Sequence, residues 1–278
     1  MAKPTGLLPP EYHTAALHYL AGRPPYPPRL IEHVAALTGL ARRGAASASA
    51  PGGVVPGTRV LDLGCGPGQL AVAFARLGAQ VLAVDPEPEM LRIARAAAGE
   101  APIRFMQGSS EDLGPALGRV DLVVMGRSFH WMDRAETLRR LDAMIEPGGA
   151  VVLFGDSHPA VPDNAWRAAW REVEERYRMP GSGRPHHGDD WVRHEAVLLD
   201  SAFCRLDSVS AIDRRHVSIA TMVERAQSTS THSASRLGDR TDAFLGEIVR
   251  ALEPFTHGGT ITEVVQTYAL IAFRGHPA

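Results

Sequence analysis

The run from Val60 to Gly68 (Val-Leu-Asp-Leu-Gly-Cys-Gly-Pro-Gly) constrains the fold more than any other part of the chain. Apolar residues surround one carboxylate, Asp62, and three glycines then follow at alternating positions. Glycine takes positive φ without strain and lets a ligand approach the backbone closely. The next residues, 69–77, have a helical pattern. The run therefore predicts a buried strand, a tight turn and a helix, which is how open α/β sheets bind nucleotide-like cofactors.

Short apolar runs alternate with amphipathic stretches from residue 58 to about residue 155, which is typical of a doubly wound parallel sheet covered on both faces. The predicted strands of this region are Arg59–Leu63, Gln80–Val84, Ile103–Gln107, Val120–Met125 and Ala150–Phe154. The predicted helices between them are Gly68–Leu77, Pro88–Ala98 and Ala135–Ile145.

Composition divides the chain into four parts. Residues 1–42 are an N-terminal helical cap with helices over 12–20 and 28–40, and residues 43–57 are a Pro/Gly/Ser-rich flexible linker. Residues 58–155 form the cofactor-binding core. In residues 156–278 we expect lid helices over 165–178, 191–201, 221–228 and 241–252, together with strands over 203–212 and 262–273 that pair antiparallel.

Charge and cysteine content exclude several classes of protein. The 278 residues carry a formal net charge of -2 and no long basic run, so we expect no nucleic-acid partner. The two cysteines, Cys65 and Cys204, predict neither a disulfide framework nor a metal site. Because no stretch approaches about 18 apolar residues and the N-terminus lacks the apolar core of a signal peptide, we expect a cytoplasmic protein without a membrane partner. Monomer and homo-oligomer both stay open.

Three interpretations of the glycine turn compete. A dinucleotide fingerprint requires a third glycine where this chain has Gln69, and a phosphate loop requires a Gly-Lys-Ser/Thr ending that is absent. The third interpretation is an ordinary turn. Asp85, however, ends a second predicted strand about 20 residues beyond the glycines, where a carboxylate accepts ribose hydroxyls. Two carboxylates without a cationic phosphate clamp favour a cofactor with positive charge and no phosphate, such as S-adenosyl-L-methionine (SAM).

The motifs resemble those of class I SAM-dependent methyltransferases, of the small-molecule type with a His-Trp pair after the fourth strand (methyltransferase type 11-like). The matching stretches are 60–68, 84–86 with Met90, 108–112, 120–131 and 141–153, with Arg-Pro-Pro-Tyr-Pro at 23–27 upstream. The resemblance is good over 12–155 and looser beyond. It implies a doubly wound, Rossmann-like, seven-stranded, mostly parallel sheet with helical cap and lid insertions, and SAM as the methyl donor that leaves as S-adenosyl-L-homocysteine (SAH).

The resemblance also implies which residues bind the cofactor. The glycines lie against the methionine part, Asp62 near its amino group and Asp85 at the ribose. Arg127 departs from the family pattern, because a cation beside a sulfonium is unfavourable, and its side chain is expected to point to the SAM carboxylate or to an acidic substrate. The full expected set is Arg23, Asp62, Gly64, Cys65, Gly66, Gly68, Asp85, Pro86, Met90, Ser110, Glu111, Gly126 and Arg127.

Candidate residues for catalysis and for the acceptor are less clearly marked. His130 follows the fourth strand and is the first candidate for a general base, with His187 second. Packing of the His-Trp pair against the cap stays open as the alternative. Helix packing is likewise the alternative for Trp166, which lies four residues before Trp170. The expected substrate-binding residues are Tyr12, Tyr19, Tyr26, Trp131, Trp166 and His186.

The resulting hypothesis is methyl transfer to a small-molecule acceptor in secondary metabolism, with N- or O-methylation favoured and C-methylation possible. One alternative is a SAM-binding protein without turnover. Another is a methyltransferase acting on a macromolecule, although Arg23–Tyr26 lies before the glycine turn and lacks the Asn of the Asn-Pro-Pro-Tyr box. A dehydrogenase survives only if the protein binds NAD rather than SAM.

Overall fold

The computed structural model describes residues 12–40, 54–179 and 191–275. The helices are α1 (Tyr12–Gly22), α2 (Pro28–Leu37), α3 (Gln69–Arg76), α4 (Pro88–Ala98), α5 (Arg134–Asp142), α6 (Trp166–Arg176), α7 (His194–Leu199), α8 (Ile219–Gln227), α9 (Ala234–Leu237) and α10 (Thr241–Leu252). The strands are β1 (Arg59–Leu63), β2 (Gln80–Asp85), β3 (Ile103–Gln107), β4 (Val120–Gly126), β5 (Ile145–Ser157), β6 (Arg205–Ser218), β7 (Thr256–His257) and β8 (Thr260–Phe273).

The sheet is doubly wound, as the sequence predicts. Its strand order is β3-β2-β1-β4-β5-β8-β6, and β1 to β5 run parallel. The order reverses between β1 and β4, which opens a crevice at their carboxyl ends. β8 pairs antiparallel with both β5 and β6, so the predicted pairing of the last strand with the 203–212 region is confirmed.

An eighth strand is added to the predicted seven. The short β7 pairs with the start of β8 through a hairpin whose turn contains Gly258 and Gly259, both at positive φ. Its two residues are too few to give an alternating pattern in the sequence, which is why the prediction missed it. The mixed, mostly parallel α/β class is unaffected.

Both faces of the parallel strands are buried. On β1, Val60 belongs to a cluster with Phe74 of α3, while the next residue, Leu61, belongs to a separate cluster with Leu141 of α5. Successive strand residues point to opposite faces. The sheet therefore lies between two apolar layers.

The last two long strands carry a further helical layer. β5 pairs only with the second half of β8, from Gln266 to Phe273, whereas β6 pairs with β8 over its whole length from Thr260. This two-stranded extension contributes to a third apolar cluster formed with α6, α8 and α10. α1 packs against α8, so the N-terminal cap rests on this layer.

The described end of the predicted linker is attached to the core. Residues 41–53 lie outside the described residues, but Val54 is buried, and its N–H donates to the Leu77 carbonyl at 2.8 Å. The next N–H, of Val55, donates to the Leu40 carbonyl at 2.8 Å. Val54 is apolar and is separated by one residue from the turn at residues 56–57 that leads into β1, and its side chain packs in the apolar core. Within the described ranges, no helix is long and apolar enough to cross a membrane.

Candidate functional site

The glycine turn has the backbone that its sequence predicts. Gly64, Gly66 and Gly68 have φ of 68°, 52° and 83°, values that side chains other than glycine rarely adopt. A Cβ on Gly64 would also lie 2.5 Å from the Ser128 Cβ. Gly68 is the left-handed N-cap of α3. The turn thus presents bare backbone at the carboxyl end of β1.

Asp62 is a buried carboxylate with one free oxygen. It is 1% exposed, and its Oδ2 accepts a hydrogen bond from the Ala71 N–H in the first turn of α3 at 2.8 Å. Its Oδ1 is buried without a hydrogen-bond partner although Asp62 lines a cavity. Burial, partly offset by the Ala71 N–H, raises the pKa of Asp62 to about 8, and the nearby Asp85 carboxylate adds to the rise. A buried orphan acceptor of this kind calls for a cationic or hydrogen-bonding ligand.

Asp85 is held at the end of β2 by the turn itself. Its Oδ2 accepts from the Gly66 N–H at 2.7 Å and its Oδ1 from the Glu87 N–H at 2.9 Å. Burial raises its pKa to about 6, and the two backbone donors limit that rise. The carboxylate is consequently fixed in orientation, with the remaining lone pairs of both oxygens available to hydroxyl groups.

A cavity of about 700 Å³ lies over these two carboxylates at the strand ends. Most of the predicted cofactor residues line it, as do three of the predicted substrate residues, Tyr19, Tyr26 and Trp131. The predicted cofactor residues in the lining are Asp62, Gly64, Cys65, Gly66, Asp85, Pro86, Met90, Ser110, Glu111, Gly126 and Arg127. Gly68 and Arg23 are not part of the lining. A Cβ on Gly68 would face Ala94 of α4, and the guanidinium of Arg23 lies 5.5 Å from the centroid of the Tyr19 ring.

One end of the cavity is closed by the loop after β3. Ser109 forms a capping box with Asp112, whose Oδ2 accepts from the Ser109 N–H at 2.7 Å. Arg140 of α5 crosses the cavity rim and donates to the carbonyl of Glu111 and to that of Leu113. The loop that carries the predicted Ser110 and Glu111 is therefore fixed both internally and from α5.

The Arg127 side chain is held by the protein rather than left pointing at a ligand. Its Nε donates to Asp156 of β5, its Nη2 donates to the Pro24 carbonyl at 3.0 Å, and its guanidinium lies 4.8 Å from the Tyr26 ring centroid. The expectation that Arg127 points to the SAM carboxylate or to an acidic substrate stays a prediction, although Asp156 of the protein already pairs with its charge. Only Nη1 is buried without a partner. Arg127 is the one described non-glycine residue with positive φ, at 58°.

Tyr19 and Tyr26 bring the N-terminal cap to the cavity. Tyr26 packs edge-on against Phe154 with ring centroids 5.4 Å apart, and a Cβ on Gly126 would lie 2.5 Å from the Tyr26 Oη. Burial raises the pKa of the Tyr26 phenol far above its usual value, so the group is a neutral hydroxyl. The two rings form a wall over the end of β4.

Two predicted site residues, His130 and Trp166, lie outside the cavity lining. His130 is half-buried in a single helical turn, with its ring 5.0 Å from that of Trp131, and it does not line the cavity although Trp131 does. Trp166, predicted to bind substrate, is 2% exposed and packs edge-on against Trp170 inside the helical layer, which corrects that prediction. Tyr12 begins α1, and nothing further is described for it.

Other predicted residues fall outside the description, and some lining residues were missed. The loop with His186 and His187 lies outside the described residues. The lining residues that the sequence did not single out include Ser128, Met132, Asp133, Glu136, Thr137 and Arg140. Their position in the sequence could have identified them, because all of them follow β4 and ligands bind at the carboxyl edge of such a sheet. No cluster of three or more potential metal ligands occurs among residues 12–40, 54–179 and 191–275.

Comparison with known proteins agrees with this geometry. A family profile described as a methyltransferase domain matches residues 60–149. An uncharacterised methyltransferase of Mycobacterium tuberculosis is 34% identical over 143 residues, and the chain spans 51% of its length, about half. A ubiquinone biosynthesis O-methyltransferase of Xanthomonas campestris is 40% identical over 165 residues, which cover 57% of this chain and 67% of that protein.

Solved structures share the fold across nearly the whole chain. A structure described as a type II methyltransferase of Anaeromyxobacter dehalogenans aligns with a TM-score of 0.62 at 23% identity, covering 91% of this chain and 97% of that one. A SAM-dependent methyltransferase of Thiobacillus denitrificans, crystallised with SAH, aligns with a TM-score of 0.54 at 15% identity over 97% and 100%. At sequence identities below 25%, these two structures show only that the fold is shared. Together with the sequence relatives and the domain match, they show that the chain belongs to the class I SAM-dependent methyltransferase family, with SAM as its cofactor.

Proposed function

We propose that this protein transfers a methyl group from SAM to a small-molecule acceptor, and that the cavity over β1, β2 and β4 is where SAM binds. The observation that carries the proposal is the unpartnered Oδ1 of Asp62 in the wall of a cavity whose other carboxylate, Asp85, is fixed by backbone donors. An ammonium group satisfies the first carboxylate, and a ribose diol satisfies the second.

The charges of the cavity fit SAM better than a dinucleotide. A cationic side chain would add to the binding of a pyrophosphate at the glycine turn, but the two arginines in the lining are engaged with protein groups, Arg127 with Asp156 and Arg140 with Glu136. Two buried carboxylates beside the glycine turn would also repel phosphate. A cation-bearing cofactor gains from both carboxylates, which supports SAM over NAD.

The proposed contacts follow the cavity from one end to the other. Asp62 holds the amino group, the backbone at Gly64–Gly66 lies along the methionine part, and Asp85 accepts from the ribose. Pro86 and Met90 form an apolar surface for the adenine beside the loop that carries Ser110 and Glu111. Because Asp62, Asp85 and the loop after β3 are held by hydrogen bonds within the protein, these groups need little rearrangement on binding.

When bound, SAM supplies a methyl group already activated on a sulfonium. The residues of this chain then have to align the acceptor and exclude water. Tyr19 and Tyr26 do the second task over the end of β4, with Arg127 behind them. No histidine lines the cavity among the described residues. We therefore propose that the acceptor brings its own nucleophile, a neutral amine or an easily ionised hydroxyl, and that His130 does not serve as the base.

Small-molecule acceptors are supported by the printed name of one relative, a ubiquinone biosynthesis O-methyltransferase. The formal net charge of -2 offers no field that would gather a polyanion. We propose an oxygen or nitrogen acceptor on this basis. The assignment to secondary metabolism stays a prediction from the sequence.

The test is turnover of SAM to SAH with a panel of phenols, amines and carboxylic acids, with SAH measured by mass spectrometry. We expect acceptor-dependent SAH formation in the wild type and loss of it in Asp85→Ala, while Asp213→Asn, which changes a surface ion pair with Arg29, should behave as wild type. Tight SAH binding without turnover on any acceptor would favour the SAM-binding protein instead. Stabilisation by NAD but not by SAH in a thermal-shift assay would overturn the cofactor.

A further inference from the structure

The two tyrosines of the wall over the cofactor cavity belong to one short segment that precedes the sheet in the chain. We call residues 19–26, from Tyr19 to Tyr26, the tyrosine segment. It runs from the end of α1 through Gly22, Arg23 and two prolines. Beyond the two rings, its polar attachments are made to residues of the α8 region and to Arg127, which come much later in the chain.

Arg225 of α8 is the deepest of these attachments. It is 8% exposed and uses all three of its guanidinium nitrogens. Its Nε donates to the Gly22 carbonyl at 2.9 Å, and its Nη1 and Nη2 donate to the two carboxylate oxygens of Glu263 at 2.7 and 3.1 Å. The bidentate pair fixes the plane of the guanidinium, and this orientation directs the Nε–H toward the carbonyl at the end of α1.

Glu263 of β8 is a fully buried carboxylate at the centre of this cluster. Besides Arg225 it accepts from Arg215 at 2.6 Å and contacts His158 Nε2 at 3.1 Å. Burial would raise the pKa of Glu263, but hydrogen bonds from His158 and Arg225 together with the positive charges of Arg225 and Arg215 outweigh it and hold the pKa far below its usual value. The carboxylate therefore stays ionised and links β8 to β6, to α8 and to His158 just after β5, and the end of α1 is placed against this cluster.

Gly22 is shaped for close approach to that unit. A Cβ at this position would lie 2.4 Å from the Arg225 backbone N and 2.6 Å from its Cα, contacts that real Cβ atoms do not make. Gly22 is the last residue of α1, and its φ does not require glycine. Glycine is therefore required at this position by the close packing of α1 against α8 and not by the backbone conformation.

We propose that Arg225, oriented by Glu263, is a positioning residue for the cofactor: it docks the end of α1 at Gly22 and so sets Tyr19 and Tyr26 over the methionine end of the cavity. The inference rests on the proposed function, since it assumes that SAM binds there. Undocking would leave the glycine turn and both carboxylates intact but remove the wall. Apparent affinity falls in proportion to the fraction of molecules that have the wall in place.

The cleanest perturbation is Gly22→Ala, because alanine favours a helix over glycine and so strengthens α1 while blocking its docking. We expect the SAH dissociation constant, measured by calorimetry, to rise about tenfold as the docked fraction falls to about one tenth. Amide hydrogen exchange over residues 15–22 should rise in parallel. The matched control is Gly246→Ala in α10, where the new Cβ meets only the Arg250 Nη1 at 3.4 Å, and it should leave both readouts unchanged.

A second pair of variants tests the guanidinium itself. Arg225→Met leaves Glu263 with Arg215 and His158, so no buried charge is orphaned, and it should weaken SAH binding as Gly22→Ala does. Arg225→Lys restores the charge beside Glu263 but not the directed Nε–H, and we expect only partial rescue. Arg274→Met is the control, because Arg274 bonds Asp142 and three carbonyls at the opposite end of the sheet. It should lower thermal stability without changing SAH affinity.

The outcomes separate the two ideas. If the wild type does not bind SAH, the proposed function fails. If the wild type binds and both Gly22→Ala and Arg225→Met bind within about twofold of it, the cavity is right and the positioning role is wrong. Full rescue by Arg225→Lys would show that charge near Glu263, and not the docking of α1, is what matters, and would also overturn the proposal.

Discussion

Replacing Asp62 by Asn tests the electrostatic basis of the cofactor site. The ionised carboxylate is the form that attracts an ammonium group, but burial raises the pKa of Asp62 to about 8 in the cofactor-free protein. Below that pH the group is mostly protonated, so binding must first release a proton. The apparent affinity for SAH should accordingly rise with pH and level off above pH 8.

The size of the effect follows from the protonated fraction. For one group of pKa about 8, the apparent dissociation constant is proportional to one plus the ratio of protonated to ionised carboxyl. Between pH 6.5 and 8.0 that factor falls about 16-fold, or about 1.6 kcal/mol. Asp85, with a pKa of about 6, is largely ionised over the same range and contributes little.

Calorimetry with SAH at several pH values, repeated in buffers of different ionisation enthalpy, measures both the slope and the protons released. We expect nearly one proton released by the wild type at pH 6.5. Asp62→Asn should bind more weakly at pH 8 and with almost no slope, while Asp213→Asn should keep the wild-type slope. A flat wild-type profile, or an unchanged slope in Asp62→Asn, would refute the assignment of Asp62 as the ammonium partner.

Three further expectations follow from the same geometry. His130→Ala should keep kcat/KM within about twofold of wild type, and a loss of a hundredfold or more would restore His130 as a base, since general bases contribute at least that much. Trp166→Ala should cost about 3–5 kcal/mol of unfolding free energy in urea while the folded protein keeps its SAH affinity, because the indole is core. Glu263 has a folded pKa below its unfolded value, so the stability that it contributes is present above about pH 4.3 and is lost as the pH falls further. Glu263→Gln should therefore be less stable at pH 7 but lose less stability on acidification, as urea unfolding at pH 7, 4 and 3 would show.

The elements that the sequence predicted best are those whose ends are marked locally. α4 has the predicted bounds because Pro88 occupies its first turn, the Glu87 side chain accepts from the Glu89 N–H at its start, and Gly99 with φ of 57° ends it. β1 and β3 likewise begin and end where apolar runs meet turn residues. The cofactor cradle was predictable for the same reason, since its glycines and Asp62 lie within one strand–turn–helix unit.

What the sequence could not give is the partner of each charge and the packing of each aromatic face. Arg127 pairs with Asp156, and Arg225 with Glu263, across separations of 29 and 38 residues. A sequence shows that such charges exist but not which ones the fold brings together. Trp166 and Trp170 define one helix face in the same way, but only the tertiary structure decides that this face meets the helical layer and not a ligand.

These long-range contacts suggest how the second half of the chain acts on the site. Every described residue of the cavity wall lies between Asp62 and Arg140, except Tyr19 and Tyr26. Among the described residues, those after Arg140 therefore reach the cavity through intermediates, Asp156 by holding Arg127 and, in our proposal, Arg225 by docking α1. Since both routes converge on the wall formed by Tyr19 and Tyr26, changes in the helical layer should alter how the methyl-bearing end of the cofactor is covered while leaving the carboxylates that bind its other groups in place. Variants of that layer should then separate catalytic rate from recognition of the ribose.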